Sequence, residues 1–265
     1  MKDKGTYTLI ALLNTITLIM TITVNALANI LPINGQQTGT ISDNIPNLFA
    51  PIGSTFIIWG VIYISLFLSV IYQLIILGNK EKRDRLAVFG PYFIYANIFN
   101  GVWIFAWHYL QILPSLIIML LLLVSLIILY VRITKVELDL SYNMLIKFPI
   151  SIYLGWVTIA TVANVTALLV TINWNGFGLS PMWWTIIVIA VAAIINSLVS
   201  ISKQDIWFAI VGVWSLYGVW QKRGLELNEV NTTIQYAALI AIAFIFISII
   251  ITLILKAKKV MRESN

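Results

Sequence analysis

Eight runs of apolar residues, parted by short polar or Gly- and Pro-containing breaks, occupy most of this sequence: about 8–32, 51–77, 86–108, 112–133, 144–171, 182–201, 206–221 and 232–255. A helix rises about 1.5 Å per residue and a bilayer's hydrocarbon core is about 30 Å thick, so about 20 consecutive apolar residues cross it. Repetition at that length predicts an all-α integral membrane protein, a bundle of about eight transmembrane helices. The seventh run, IWFAIVGVWSLYGVWQ, is the short one, although its Trp-rich ends suit a membrane interface. If it turned back within the membrane, the C-terminus would change sides.

The connections support the count, because Lys and Arg in short loops mark the cytoplasmic side. Basic residues occur at the N-terminus (Lys2, Lys4), in the second connection (Lys80, Lys82, Arg83, Arg85), in and after the fourth (Arg132, Lys135, Lys147), in the sixth (Lys203) and in the tail (Lys256, Lys258, Lys259, Arg262). The first, third and fifth loops, 33–50, 109–111 and 172–181, contain none. The exception is Lys222 and Arg223 in the seventh loop, beside the short run. Eight spans with both termini cytoplasmic, in a bacterial-type cell membrane, is the expected topology.

Only 10% of the residues are charged against 60% hydrophobic, and the net charge of +6 is scattered over loops instead of forming a basic stripe, so no nucleic-acid partner is expected. The absence of cysteine excludes disulfides and thiolate chemistry, and a single histidine, His108, excludes a bis-histidine metal site. At the outer end of its run, His108 reads as a wetted interface residue in preference to a ligand. The first run is too long for a signal peptide and no small-residue cleavage site ends it, so it is expected to remain as a span. No internal repeat is visible. The first loop, LPINGQQTGTISDNIPNLFAP, has the composition of an ordered, turn-rich cover for one end of a bundle.

Every Asp, Glu, Lys and Arg falls in a loop or at a helix end, which argues against a proton-coupled pump. The spans carry tryptophans, amides and small residues instead. Trp59 and Tyr63 are four apart, as are Trp103 and Trp107, so each pair shares a helical face; Asn97 and Asn100 precede the second pair, and Trp156, Ala160 and Asn164 repeat the four-residue step. The plainer reading of Trp107, Trp174, Trp183, Trp184 and Trp220 is an interfacial belt. For Trp59, Trp103 and Trp156 core packing and pocket lining are equally open, and buried asparagines usually bond a neighbouring helix. Gly53, Gly60, Gly101 and Gly155 read as close-approach points between helices. Sterol-contact patterns at Leu126, Tyr130 and Arg132, and at Val213, Tyr217 and Lys222, carry little weight.

Together these motifs resemble the tryptophan-rich sensory protein family, TspO, which includes the mitochondrial translocator or peripheral benzodiazepine receptor proteins. Over about the first 170 residues, LPINGQQTG is similar to the family's Pro and Gly pattern after its first helix, and Pro51 with WGVIY (Trp59 to Tyr63) to its second-helix Trp-x-x-x-Tyr motif. NGVW (Asn100 to Trp103) is similar to the third-helix Leu-Asn-x-x-Trp motif, and WVTIATVAN (Trp156 to Asn164) to that of the fifth. Ile159, Ala163 and Asn34 depart from the pattern, where Phe, Leu and a paired glycine are usual.

The resemblance implies a five-helix bundle at 1–172, followed at 173–265 by three further spans and a basic tail that ordinary members lack. It implies a porphyrin or similar flat hydrophobic ligand, bound by Trp59, Tyr63, Asn100, Trp103, Trp107, Trp156, Ala160 and Asn164, with a sensory or regulatory role. No cofactor or metal is required, no catalytic group is expected, and the arrangement allows a homodimer. A transporter for a small hydrophobic or tetrapyrrole compound is the alternative, motivated by eight spans and by Pro91 and Pro149 as helix-loosening residues. Light-dependent porphyrin breakdown ranks third, because no acid, base or nucleophile lies within the spans.

Overall fold

A computed structural model of the chain describes residues 4–136, 139–226 and 228–263; Lys2, one of the basic residues at the N-terminus, lies outside them. Among the described residues there is no strand. The long helices are α1 (Lys4–Ile30), α2 (Ile58–Ile76), α3 (Tyr92–His108), α4 (Ile112–Ile133), α5 (Phe148–Thr171), α6 (Pro181–Lys203), α7 (Ile206–Arg223) and α8 (Glu229–Glu263). All eight apolar runs are thus helical. By length and composition, however, six helices among the described residues qualify as membrane spans, and a seventh if Lys80–Val88 and Tyr92–His108, bent by 50° at their break, count as one. The protein is a multi-pass helical membrane protein. The count of eight is not reached because α7 has only 18 residues and gives part of that length to Gly, Ser, Gln, Lys and Arg.

Contacts divide the chain into two compact units, Met1–Ile41 with Ile57–Val157, and Ser42–Phe56 with Thr158–Asn265. In the first, α1 packs on α2 and α3, and α3 on α4. The buried positions of α1 are Tyr7, Ala11, Asn14, Leu18, Thr21, Asn25 and Ala28, alternating steps of four and three that put one stripe against its neighbours. Leu9, Leu12, Ile16 and Ile19 face outward. Asn14, Thr21 and Asn25 lie inside and most of the large aliphatic side chains outside, as a lipid solvent requires, since a polar group in hydrocarbon costs several kcal/mol unless bonded. Accordingly Asn14 Nδ2 donates to Gln73 Oε1 (2.8 Å), Thr21 Oγ1 to the Asn97 carbonyl (2.7 Å) and Asn25 Nδ2 to Asn100 Oδ1 (2.8 Å).

Charges gather at one end of this unit. Arg85 Nη1 meets Asp139 Oδ2 at 2.6 Å, and Asp139 Oδ1 accepts from the Tyr142 backbone N–H, which with Arg85 holds the Asp139 carboxyl below the usual range. Arg132 donates from Nε to the Val88 carbonyl (2.7 Å) and from Nη2 to the Ala87 carbonyl (2.8 Å). Pro91 is the N-cap residue of α3, at its 50° break from Lys80–Val88, and Pro149 closely follows the π-helical turn Asn143–Lys147 within the continuous helical stretch Leu140–Thr171, so both stand where a helix is interrupted.

In the second unit α6, α7 and α8 pack on one another around Ile189, Ala192, Ala193, Leu216, Ile234, Ala238 and Ile245, together with Phe49 from segment 42–56. Small residues set the spacing. A Cβ on Gly212 would sit 2.3 Å from Asn196 Oδ1, and one on Gly218 would sit 2.1 Å from Thr55 Oγ1. At Gly60 and Gly101 a Cβ would meet nothing within 4 Å, so these two are not the close-approach points their sequence suggests; at Gly53 the near neighbour is the Asp43 carboxylate, 3.0 Å away. Segment 42–56 is held to α7 by Ile52 N–H to the Gly218 carbonyl (3.1 Å), Trp214 Nε1 to the Thr55 carbonyl (3.0 Å) and Lys222 Nζ to Asp43 Oδ1 (2.7 Å).

Candidate functional site

The first unit assembles an aromatic cluster from α2 and α5. Trp59 and Tyr63, one turn apart, stack at 5.3 Å with planes 15° apart, and Trp156 meets the Trp59 ring edge-on at 6.1 Å. Tyr153, three residues before Trp156, adds a second edge contact at 5.9 Å. Offset and edge arrangements of this kind satisfy the ring quadrupoles and add about 0.5–1.5 kcal/mol per pair beyond area burial.

Asn100 binds that cluster to α1. Its Nδ2 donates to the Tyr153 hydroxyl (2.9 Å), while its Oδ1 accepts from Asn25 Nδ2 (2.8 Å) and from the Tyr63 hydroxyl (3.3 Å). One buried amide therefore ties α1, α2, α3 and α5 together. Trp103 and Trp107 stack at 5.8 Å on α3, and both are buried. Trp107 is not a belt residue: its Nε1 donates to the Thr38 carbonyl at 3.3 Å.

His108 is likewise buried, not wetted. Nδ1 lies 3.0 Å from the Ile33 carbonyl, which can only accept, so Nδ1 donates to it, and Nε2 pairs with Thr38 Oγ1 at 2.9 Å. Asn34 Nδ2 closes the clamp by donating to the His108 carbonyl at 2.9 Å. Asn34 and Gly35 have φ of 53° and 73°, and Asn is the side chain that best tolerates the left-handed region, which explains how it stands where a paired glycine is expected. The start of the first loop is thereby fixed to the end of α3.

Six of the sequence-derived site residues, Trp59, Tyr63, Asn100, Trp103, Trp107 and Trp156, belong to this unit; Ala160 and Asn164 belong to the second, where Asn164 is buried. Sequence reasoning missed Tyr153, Asn25 and the His108 clamp. Tyr153 is three residues before Trp156, a helical neighbour spacing that could have flagged it. The indole N–H groups of Trp59 and Trp103 are buried and bond no acceptor, a condition that costs about 1–3 kcal/mol each when nothing else fills the need. Among the described residues no group of three or more His, Asp or Glu side chains is placed to hold a metal. The site offers aromatic faces, two free N–H donors and no charge.

No curated protein and no solved structure matches the chain. The profile of the TSPO-like protein family matches residues 11–251, running from α1 into α8 and well past the first 170 residues on which the motif resemblance rests. With the match covering most of its length, the chain belongs to the TSPO-like protein family.

Proposed function

We propose that this protein binds a tetrapyrrole, or a similarly flat hydrophobic molecule, in an intramembrane site formed by Trp59, Tyr63, Asn100, Trp103, Trp107 and Trp156, and that it serves a sensory or regulatory role. The observation that carries the reading is the buried Trp59–Tyr63–Trp156 cluster with unanswered N–H donors at Trp59 and Trp103. Indole faces stack on a macrocycle, and a pyrrole nitrogen or ring substituent can accept from those donors. Asn100 then acts on ligand only through Tyr63 and Tyr153, because its own polar atoms are already bonded.

Titration with protoporphyrin in detergent, read by intrinsic tryptophan fluorescence, is expected to give saturable quenching. Combined Trp59→Phe and Trp156→Phe replacement should weaken it about tenfold, from the loss of two aromatic contacts of about 0.5–1.5 kcal/mol each. Unchanged affinity in a folded variant would remove the site. Uptake or efflux of the bound compound in proteoliposomes, above empty vesicles, would assign transport in place of sensing.

The reading includes eight spans with cytoplasmic termini. Support comes from the Lys222–Asp43 ion pair: it joins the seventh loop to the first, as expected if α7 crosses completely and odd-numbered loops share a side. It also offsets part of the exception in the loop charges, since Lys222, though not Arg223, is neutralised where it stands. Reporter fusions near residue 40 and at the C-terminus should report opposite sides; the same side for both would mean that one helix does not cross.

A further inference from the structure

A cavity lies within the second unit, built from the first loop, the end of α5, the 172–180 loop and the start of α6. Its volume is about 190 Å³, and Leu169, Val170, Trp174, Trp184 and Val188 make its walls largely apolar. Trp174 and Trp184 approach to 4.9 Å between ring centroids. Both are half-buried, whereas their neighbour Trp183 is exposed.

The local sequence fixes this arrangement. Asn173, Gly176, Phe177 and Gly178 all take left-handed φ, between 52° and 82°, and Asn175 Oδ1 accepts from the Phe177 N–H at 3.1 Å. Trp184 Nε1 donates to the Gly176 carbonyl at 2.6 Å, and a Cβ on Gly176 would come within 3.0 Å of that same indole. Only glycine permits both the turn and the approach. Three polar side chains of the wall bond within the protein: Asn47 Nδ2 donates to Thr166 Oγ1 (2.8 Å), Asn47 Oδ1 accepts from the Phe49 N–H (3.0 Å), and Thr185 Oγ1 donates to the Pro181 carbonyl (2.8 Å).

We propose that this cavity is a binding site for an uncharged aromatic molecule of one or two fused rings. An apolar cavity of about 150 Å³ accommodates benzene, so about 190 Å³ suits a slightly larger ring system and is far too small for a tetrapyrrole. The paired indoles select a flat π-system over an alkyl chain, and the hydrogen bonds that Asn47, Thr166 and Thr185 make within the protein leave the walls mostly apolar, which favours an uncharged ligand. The site thus differs in ligand from the one proposed in the first unit.

The test uses the full-length protein in phosphatidylcholine nanodiscs, titrated with 2-bromonaphthalene, a heavy-atom quencher of tryptophan at contact, with empty nanodiscs correcting for partitioning. A saturable component is expected. It should disappear in the Trp174→Phe, Trp184→Phe double variant, shift at least tenfold to higher concentration in Val188→Phe or Leu169→Phe, which fill the cavity, and persist in the Trp59→Phe, Trp156→Phe protein. Absence of a saturable component in the native chain overturns the proposal without reference to any variant, as does a component indifferent to Val188→Phe, Leu169→Phe and the Trp174, Trp184 pair. Nanodiscs of bromoacyl phosphatidylcholine supply the remaining arm: if their chains already quench Trp174 and Trp184, and 2-bromonaphthalene adds nothing, a lipid chain fills the cavity and the proposal fails.

Discussion

Replacement of Asn100 by leucine is expected to lower the stability of the folded protein by about 3–5 kcal/mol. Three hydrogen bonds end at this side chain, and in a bilayer such bonds average about 0.6 kcal/mol and reach about 1.7. Their sum is about 2 kcal/mol, and the Tyr153 hydroxyl left buried without its donor adds the cost of an unmet polar group, about 1–3 kcal/mol. Asn25 suffers less, because its Nδ2 also donates to the Thr21 carbonyl at 3.0 Å. Unfolding in mixed micelles measures the loss. A double-mutant cycle with Tyr153→Phe identifies its origin: if the amide joins the helices through Tyr153, the tyrosine change must cost less once Asn100 is gone. Additive effects, or a total under about 0.5 kcal/mol, would show that packing alone holds this junction and that Asn100 is free to serve a ligand directly.

The second large effect is expected at Gly218. Valine there places a Cβ 2.1 Å from Thr55 Oγ1 and 2.9 Å from Pro51 Cβ, and the neighbours are a hydroxyl on a short side chain and a proline ring, neither able to swing away. Overpacking of this kind costs about 1–3 kcal/mol, and the displaced segment also carries the Ile52-to-Gly218 and Trp214-to-Thr55 hydrogen bonds, so about 3 kcal/mol is expected. Hydrogen exchange over residues 42–56 should rise in step. Gly101→Ala is the control, since nothing lies within 4 Å of its Cβ and alanine gains up to about 1 kcal/mol of helix propensity. Equal melting of Gly218→Val and Gly101→Ala would refute the tight contact.

What the sequence made legible is what short-range geometry determines. Apolar run lengths locate the helices, and a four-residue spacing places Trp59 on Tyr63 and Trp103 on Trp107, as the ring stacking bears out. Partners distant in the chain were not legible. Nothing near His108 announces that Ile33 and Thr38, some 70 residues earlier, will enclose it, so a histidine at the end of an apolar run reads as wet. Glycine misleads for the same reason: its spacing does not reveal whether anything approaches, and Gly212 and Gly218 touch neighbours while Gly60 and Gly101 do not. A tryptophan near a span end reads as a belt residue until the fold shows Trp107 sealed beneath Thr38 and Trp184 turned onto Gly176.

The polar stripe on α1 has a consequence for biosynthesis. Asn14, Thr21 and Asn25 find their partners on Gln73, Asn97 and Asn100, which lie 59, 76 and 75 residues later in the chain. At about 5–20 residues per second, α1 leaves the ribosome roughly 4–15 s before α3 can satisfy it. Throughout that interval Thr21 and Asn25 can use the Thr17 and Thr21 carbonyls of their own helix, while Asn14 waits for Gln73. For this chain, α1 is therefore expected to insert on its own apolar length and to lock into the bundle only as α2 and α3 emerge.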